Sequence, residues 1–171
     1  MNQITSAMAA KQLRKLNDQR DALLAVEKKA RTFTAAIQED TESARPAYDY
    51  KATQDALTEI EAKIRKLKHT LNCFNSTYVI PGFEMTIDQM LIYIPQLTAR
   101  KKKLDGMRSR LPKERARESL VRGNNIIEYS YANYDISQAE SDYDAVSDEL
   151  ARAQNALDTA NATVMFEADI D

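Results

Sequence analysis

The sequence is poor in the residues that interrupt regular structure. Its 171 residues include three glycines, four prolines, no tryptophan and one cysteine. So few glycines and prolines exclude a β-sandwich, a β-barrel and a nucleotide-binding fold, because all of these need frequent turns or glycine-rich loops. The single cysteine, Cys73, excludes an internal disulfide framework and indicates a reducing compartment.

Long apolar runs are also lacking. The longest candidate, residues 85–97, is shorter than the roughly 18 uncharged residues of a membrane span and contains Asp88 and Pro95. The N-terminus has no basic start followed by an apolar run, so no signal peptide is expected. The net charge of −2 gives no overall attraction to nucleic acid or anionic lipid. We therefore expect a cytoplasmic protein with no membrane partner.

Apolar residues instead recur at heptad spacing, which predicts long helices. The first helix is expected over residues 3–38, with apolar positions at Leu13, Leu16, Leu23, Val26, Ala30, Phe33 and Ile37. The second, over residues 50–75, carries the strongest signal, because its apolar residues alternate in steps of three and four as in a coiled coil. Its candidate seam residues are Leu57, Ile60, Ile64, Leu67, Leu71 and Phe74.

Two more helices and three short strands complete the prediction. Thr86 and Gln89 form a capping-box pattern that marks the start of the third helix. The remaining helices are expected at residues 87–110 and 136–160, and the strands at residues 77–80, 126–133 and 163–167. The predicted fold class is mainly α. It is a single elongated domain, 1–171, in which long antiparallel helical hairpins form a coiled-coil four-helix rod with short terminal strands.

The helix lengths limit which strands can meet. A helix of about 25 residues spans roughly 37 Å, so the strands on either side of the fourth helix cannot pair within one chain. We expect residues 163–167 to pair near residues 77–80. Residues 126–131 are expected to pair across a subunit boundary, because an open, tyrosine-lined strand edge favours association.

Several short motifs follow one another along the chain. They are Leu13-Arg14-Lys15, Asn72-Cys73-Phe74-Asn75, Gly82-Phe83-Glu84-Met85-Thr86, Ile127-Glu128-Tyr129, Tyr134-Asp135-Ile136 and Ala160-Asn161-Ala162-Thr163-Val164. In this order the chain resembles a family of small bacterial coiled-coil proteins of uncharacterised role, some of which are labelled septicolysin. The resemblance implies a helical, oligomeric protein, and the label adds a remote hypothesis of a membrane-acting toxin.

Candidate catalytic and metal-binding residues are sparse. His69 and Cys73 lie four positions apart on one helix face and supply only two zinc ligands, so a metal site needs a symmetry mate. A solvated histidine is the simpler interpretation. Lys66 stands three residues before the histidine, where a di-iron helical bundle needs a glutamate. Because the sequence has no phosphate loop and no catalytic triad pattern, we predict a protein that is not an enzyme and binds no cofactor.

Charge is distributed unevenly. Between Arg100 and Arg122, ten lysines and arginines stand against three acidic residues, a balance of +7, whereas residues 135–171 have a balance of −9. The favoured interpretation is that the two segments complement each other within the protein or between subunits. The alternative is a nucleic-acid-binding module, since a basic run tracks phosphates. Its candidate contacts are Arg100, Lys101, Lys102, Lys103, Arg108 and Arg110.

Three functional hypotheses follow. The first is a self-associating coiled-coil structural or interaction protein whose partner is a second copy of itself. The second is the nucleic-acid-binding module of the basic segment. Tyr129, Tyr131 and Tyr134 have rings that stack on bases in such modules, but their alternation predicts a buried strand face. The third is the toxin.

Overall fold

The computed structural model describes residues 2–116 and 128–169. The described chain is mainly helical with a few short antiparallel strands, so the mainly α class is confirmed. The helices are α1 (Ser6–Ala30), α2 (Thr41–Ala44), α3 (Tyr50–Thr77), α4 (Ile87–Arg108) and α5 (Ile136–Thr163). The strands are β1 (Asn2–Thr5), β2 (Val79–Ile80), β3 (Met85–Thr86), β4 (Lys113–Arg115), β5 (Tyr129–Tyr131) and β6 (Met165–Ala168).

The chain forms two compact units. Unit 1 comprises Met1–Tyr78 with Thr159–Asp171, and unit 2 comprises Val79–Asp158. The single elongated domain and the coiled-coil four-helix rod expected from the sequence stay predictions.

Unit 1 is built on a hairpin of α1 and α3. The two helices run antiparallel: Leu13 and Leu16 share one apolar cluster with Ile64 and Leu67, and Glu27, near the other end of α1, contacts the start of α3. The contact positions on α1 are half-buried or buried and follow heptad steps through Leu13, Leu16, Arg20, Leu23 and Glu27. Glu27 therefore holds a position facing α3, and its Oε1 accepts hydrogen bonds from Gln54 Nε2 at 2.7 Å and the Tyr48 hydroxyl at 2.9 Å.

The first helix is shorter than residues 3–38, and its apolar positions differ from the predicted ones. It begins at Ser6, after Thr5 accepts a hydrogen bond from the Met8 amide, and it ends at Ala30. Lys28 and Lys29 in the last turn stabilise the end of the helix, because their positive charges interact favourably with the negative carboxyl end of the helix dipole. The residues that follow, Thr32-Phe33-Thr34, have low helix propensity. Val26 is 62% exposed because the adjacent Glu27 faces α3 instead, and Ile37 lies in the irregular connection.

The terminal strand of unit 1 closes the apolar cluster. β1 and β6 pair antiparallel, with Ile4 opposite Phe166 and Asn2 opposite Ala168. The ring of Phe166 stacks on Phe74 of α3 at 4.5 Å, which seats the strand pair on the helix. The prediction that residues 163–167 pair near residues 77–80 is therefore wrong. Residues 2–5, assigned from the sequence to a helix, form the partner strand instead.

Unit 2 begins with a tight hairpin before α4. Val79 pairs with Thr86 and Ile80 with Met85, and the Phe83 amide donates to the Ile80 carbonyl at 3.2 Å across a Pro81-Gly82 turn. Gly82 has φ +81°, the left-handed value that the third turn residue of a type II turn requires. The turn joins β2 to β3, and β3 ends at Thr86, directly before α4. The Thr86 amide donates a hydrogen bond to Gln89 Oε1 at 2.9 Å.

The helices α4 and α5 also contact each other antiparallel. The Tyr134 hydroxyl, just before α5, donates to the Met107 carbonyl at 2.8 Å, and the Tyr93 hydroxyl near the start of α4 donates to Glu149 Oε1 at 3.4 Å. Buried residues recur at heptad spacing on both helices within this unit. They are Met90, Leu97 and Leu104 on α4 and Ala139, Val146, Leu150, Ala153 and Leu157 on α5.

The strand expected at residues 126–133 finds its partner within the same chain. β5 pairs antiparallel with β4, a strand that the sequence did not predict, with Lys113 opposite Tyr131 and Arg115 opposite Tyr129. The expected pairing across a subunit boundary is therefore wrong for Tyr129–Tyr131. Ile126 and Ile127 lie outside the described residues.

Candidate functional site

The six seam residues expected on the second helix lie at the interface of the α1–α3 hairpin or beside it. Leu57, Ile64 and Leu67 are buried, and Ile60, Leu71 and Phe74 are half-buried against the apolar cluster of unit 1. Their burial within one chain accounts for their heptad spacing without a second subunit. A surface for self-association therefore has to be sought elsewhere in the molecule.

The basic segment divides into residues that face α5 and residues that face solvent. Lys101 and Arg108 occupy heptad positions on the α5 side of α4, and both pack on the ring of Tyr143. The Lys101 Nζ lies 5.4 Å from the ring centroid and the Arg108 Cζ lies 3.8 Å from it, distances typical of cation–π contacts. A hydrogen bond to Asp105 raises the pKa of the Arg108 guanidinium. Two of the six candidate nucleic-acid contacts are therefore engaged by α5.

The other four candidates, Arg100, Lys102, Lys103 and Arg110, are exposed. Arg110 lies 3.4 Å from Glu114 in an exposed ion pair. Residues 117–122, the last part of the basic segment, lie outside the described residues.

The basic segment of α4 and the acidic segment of α5 are not joined by a row of ion pairs between their described residues. Among the described residues of α4 and α5, the ion pairs link neighbours in sequence, as in Arg108–Asp105 and Arg152–Glu149. The polar contacts between the helices are made by tyrosines: Arg108 of α4 packs on Tyr143 of α5, and Tyr93 of α4 donates to Glu149 of α5. Burial, and next to it the Glu149 charge, raises the pKa of Tyr93. Tyrosines therefore mediate between the basic helix and the acidic one.

The β4–β5 ribbon presents two chemically different faces. Alternation along the strands places Lys113, Arg115, Tyr129 and Tyr131 on one face. Glu114 and Ser130 lie on the other face, and both line an open cleft together with Arg110, Arg115 and Glu128. On the first face, the Lys113 Nζ lies 4.2 Å from the Tyr129 ring centroid and 5.4 Å from that of Tyr131. We name these four residues the cationic ribbon face.

The tyrosines of this face are exposed, which corrects the buried strand face expected from the sequence. Tyr129 is 47% exposed and Tyr131 is 63% exposed, whereas Tyr134 is half-buried where it contacts Met107. Alternation alone does not distinguish a buried face from an exposed one, since both give period two. The basic residues opposite the two rings, Lys113 and Arg115, indicate an exposed face, but this pairing can be inferred only if residues 113–115 are recognised as a strand.

The side of α4 turned away from α5 carries apolar residues. Leu91 is 51% exposed and Ile92 is 61% exposed, and Pro95 and Ala99 are exposed beside them. Asp88, Ile92, Pro95, Ala99 and Lys102 follow one another in steps of four and three, so they form a second heptad stripe along the helix. We name these five residues with Leu91 the outer stripe of α4. This stripe is hard to recognise in the sequence, because it overlaps the stronger apolar pattern of the side facing α5.

His69 and Cys73 are both exposed, with the Cys73 Sγ 3.7 Å from the His69 Nε2. In the described parts of the chain, no group of three or more histidine, cysteine or acidic side chains is placed to hold a metal ion. Arg20, Arg65 and Lys68 line the same surface depression as His69, and their charges disfavour a cation there. Over residues 2–116 and 128–169, no helix has the length and apolar character needed to cross a membrane.

Comparison with known proteins gives a match for the fold of the chain. No protein-family model matches the chain, and no curated protein matches it. A solved structure from Corynebacterium diphtheriae, described as a functionally unknown conserved protein, is similar with a TM-score of 0.59 and 16% identity. The similarity covers 97% of this chain and 100% of that one. At this identity it shows a shared fold, and the resemblance to the septicolysin-labelled family stays a prediction.

Proposed function

We propose that the protein is a self-associating helical interaction protein, in which α4 packs antiparallel on α4 of a second copy. The observation that carries the proposal is the outer stripe of α4, where Leu91 and Ile92 are both more than half exposed. Adjacent large apolar residues on the solvent side of a helix mark an interaction site, because a helix that is apolar on opposite sides is stable when both sides are covered. The other side of α4 is already covered in this chain, since Met90 and Leu97 are buried.

The stripe is complementary to itself in the antiparallel direction. A two-fold axis passing beside Pro95 brings Asp88 opposite Lys102 of the second copy and Leu91 opposite Ala99. The ion pair and the apolar contact each form twice, as an isologous interface requires. The large side chains of Leu91 meet a small residue, which permits close approach of the helices. A parallel pairing would instead set Asp88 against Asp88 and Lys102 against Lys102.

The association is expected to depend on concentration. Full burial of a leucine or isoleucine side chain contributes roughly 1.5–3 kcal/mol, and Leu91 and Ile92 begin from about half exposure. Peripheral ion pairs such as Asp88–Lys102 add about 0.2–1 kcal/mol each. Their main effect is to select the antiparallel register.

Sedimentation velocity over a range of protein concentrations tests the proposal. We expect a reversible dimer that Ile92→Asp dissociates. Val26→Asp is the matched control, because Val26 is 62% exposed and Ile92 is 61% exposed, and Val26 lies in unit 1. A wild-type protein that stays monomeric at about 200 μM, where even weak specific contacts are populated, would refute the proposal. Equal effects of the two substitutions would refute the choice of surface.

A charge exchange tests the register. Asp88→Lys and Lys102→Asp are each expected to weaken the dimer, because each sets two like charges opposite each other, and the double variant is expected to restore it. Circular dichroism of each monomer checks that α4 stays folded. If the double variant is as weak as the sum of the single ones, the antiparallel pairing about Pro95 is wrong.

A further inference from the structure

The cationic ribbon face is a second surface with its own chemistry, independent of the proposed function. We infer that it binds single-stranded nucleic acid, with bases stacked on Tyr129 and Tyr131 and phosphates paired with Lys113 and Arg115. The proposed site is the ribbon and not the basic run of α4, because Lys101 and Arg108 of that run pack on Tyr143.

The face combines the two elements that single-strand binding needs. Such sites pair a positively charged track for the backbone with aromatic rings on which successive bases stack. Tyr129 and Tyr131 are two residues apart on one strand, which separates their rings by about 6.6 Å along the ribbon. That spacing leaves room for one base on each ring. Lys113 and Arg115 lie directly opposite the two tyrosines on β4, and the Lys113 ammonium group lies over both rings.

The charge of the face selects the partner. Its four side chains include two cations and no acid, whereas the acidic residues of the ribbon, Glu114 and Glu128, lie on the strand positions of the other face. A polyanion is therefore the complementary ligand. The exposed rings favour an unpaired strand over a duplex, because bases in a duplex are already stacked on one another and their faces are closed.

In the described part of unit 2, no neighbouring element covers the rings of Tyr129 and Tyr131. Tyr93 and Tyr143, by contrast, are half-buried between α4 and α5, and Tyr134 is half-buried against α4. The ammonium group of Lys113 lies above this exposed pair, 4.2 Å from the Tyr129 ring centroid and 5.4 Å from that of Tyr131. A phosphate bound at its ammonium group would place the adjoining bases at the two rings.

Fluorescence anisotropy with a labelled oligothymidylate of about 15 nucleotides, a length within the usual range of such sites, tests the inference. The full-length protein is titrated at several salt concentrations, in parallel with a duplex of the same length. Tyr131→Ala removes one stacking ring, and Tyr50→Ala is its control, because Tyr50 is 67% exposed and lies in unit 1. Lys113→Ala with Arg115→Ala removes two cations, and Arg65→Ala with Lys68→Ala is the control with the same charge change.

We expect Tyr131→Ala to weaken binding about 5- to 150-fold, the loss of one stacked base, and Tyr50→Ala to leave it unchanged. The double ribbon variant should reduce the salt slope by about 1.4, because each phosphate contact on a single strand contributes about 0.7. Absence of binding at low salt, equal losses in the control variants, or a duplex bound as tightly as the single strand would each overturn the inference.

The two proposals fail separately in these experiments. Ile92→Asp changes sedimentation and leaves the salt slope of oligonucleotide binding unaltered if both are right. If Tyr131→Ala changes the sedimentation of the free protein and leaves oligonucleotide binding intact, the ribbon is a protein contact and the nucleic-acid inference is overturned.

Discussion

Replacing Leu67 by alanine should cost unit 1 about 3–4 kcal/mol of unfolding free energy, in the middle of the usual range for buried leucines. Leu67 is 2% exposed and lies in the apolar cluster with Leu13, Leu16 and Ile64. Its neighbours come from two helices and from the β1–β6 pair, so the cavity left by the substitution cannot close by the movement of one side chain. The loss therefore includes both the transfer free energy of the deleted atoms and the cavity.

Leu24→Ala is the matched control, because it deletes the same atoms from a side chain that is already 42% exposed. We expect it to cost about 1 kcal/mol or less. Urea unfolding followed by circular dichroism measures both variants, and the slope against urea shows whether units 1 and 2 unfold in one transition or two. Equal losses in Leu67→Ala and Leu24→Ala would show that the described cluster is not the core of this unit.

Three further predictions concern unit 2. Gly106→Ala should stabilise α4 by about 1 kcal/mol, since an added Cβ meets nothing within 4 Å, whereas Gly82→Ala should destabilise by a similar amount because φ is +81°. A double-mutant cycle of Arg108→Met with Tyr143→Leu should give a coupling of about 0.5–1 kcal/mol; zero coupling would mean that the 3.8 Å contact is not stabilising. Burial raises the pKa of Tyr93 in the folded state, so its contribution to stability is complete below its unfolded pKa and is lost as pH rises through the folded one. Tyr93→Phe should therefore flatten the alkaline decline in Tm.

The helices were predictable because their signals are local. Heptad spacing around Leu57, Ile64 and Leu67 identified α3, and the capping-box pattern of Thr86 and Gln89 identified the start of α4. A pattern repeated over several turns is carried by residues a few positions apart, and neighbouring residues determine helix formation. The ends were less accurate for the same reason: Thr5 caps α1 because Asn2–Thr5 pairs with Met165–Ala168, more than 150 positions away.

The helical class, the approximate positions of the long helices and the uneven distribution of charge are all predictable from the amino-acid sequence, because each depends on residues that are neighbours in the chain. Tertiary packing fixes which side chains the charges meet. Lys101 and Arg108 pack on Tyr143, while Lys113 packs on exposed Tyr129. These contacts depend on strand register and on helix rotation, and both are set by packing between segments that are distant in the chain. The position of α5 likewise decides which side of α4 faces solvent, so the outer stripe of α4 cannot be assigned from the α4 sequence alone.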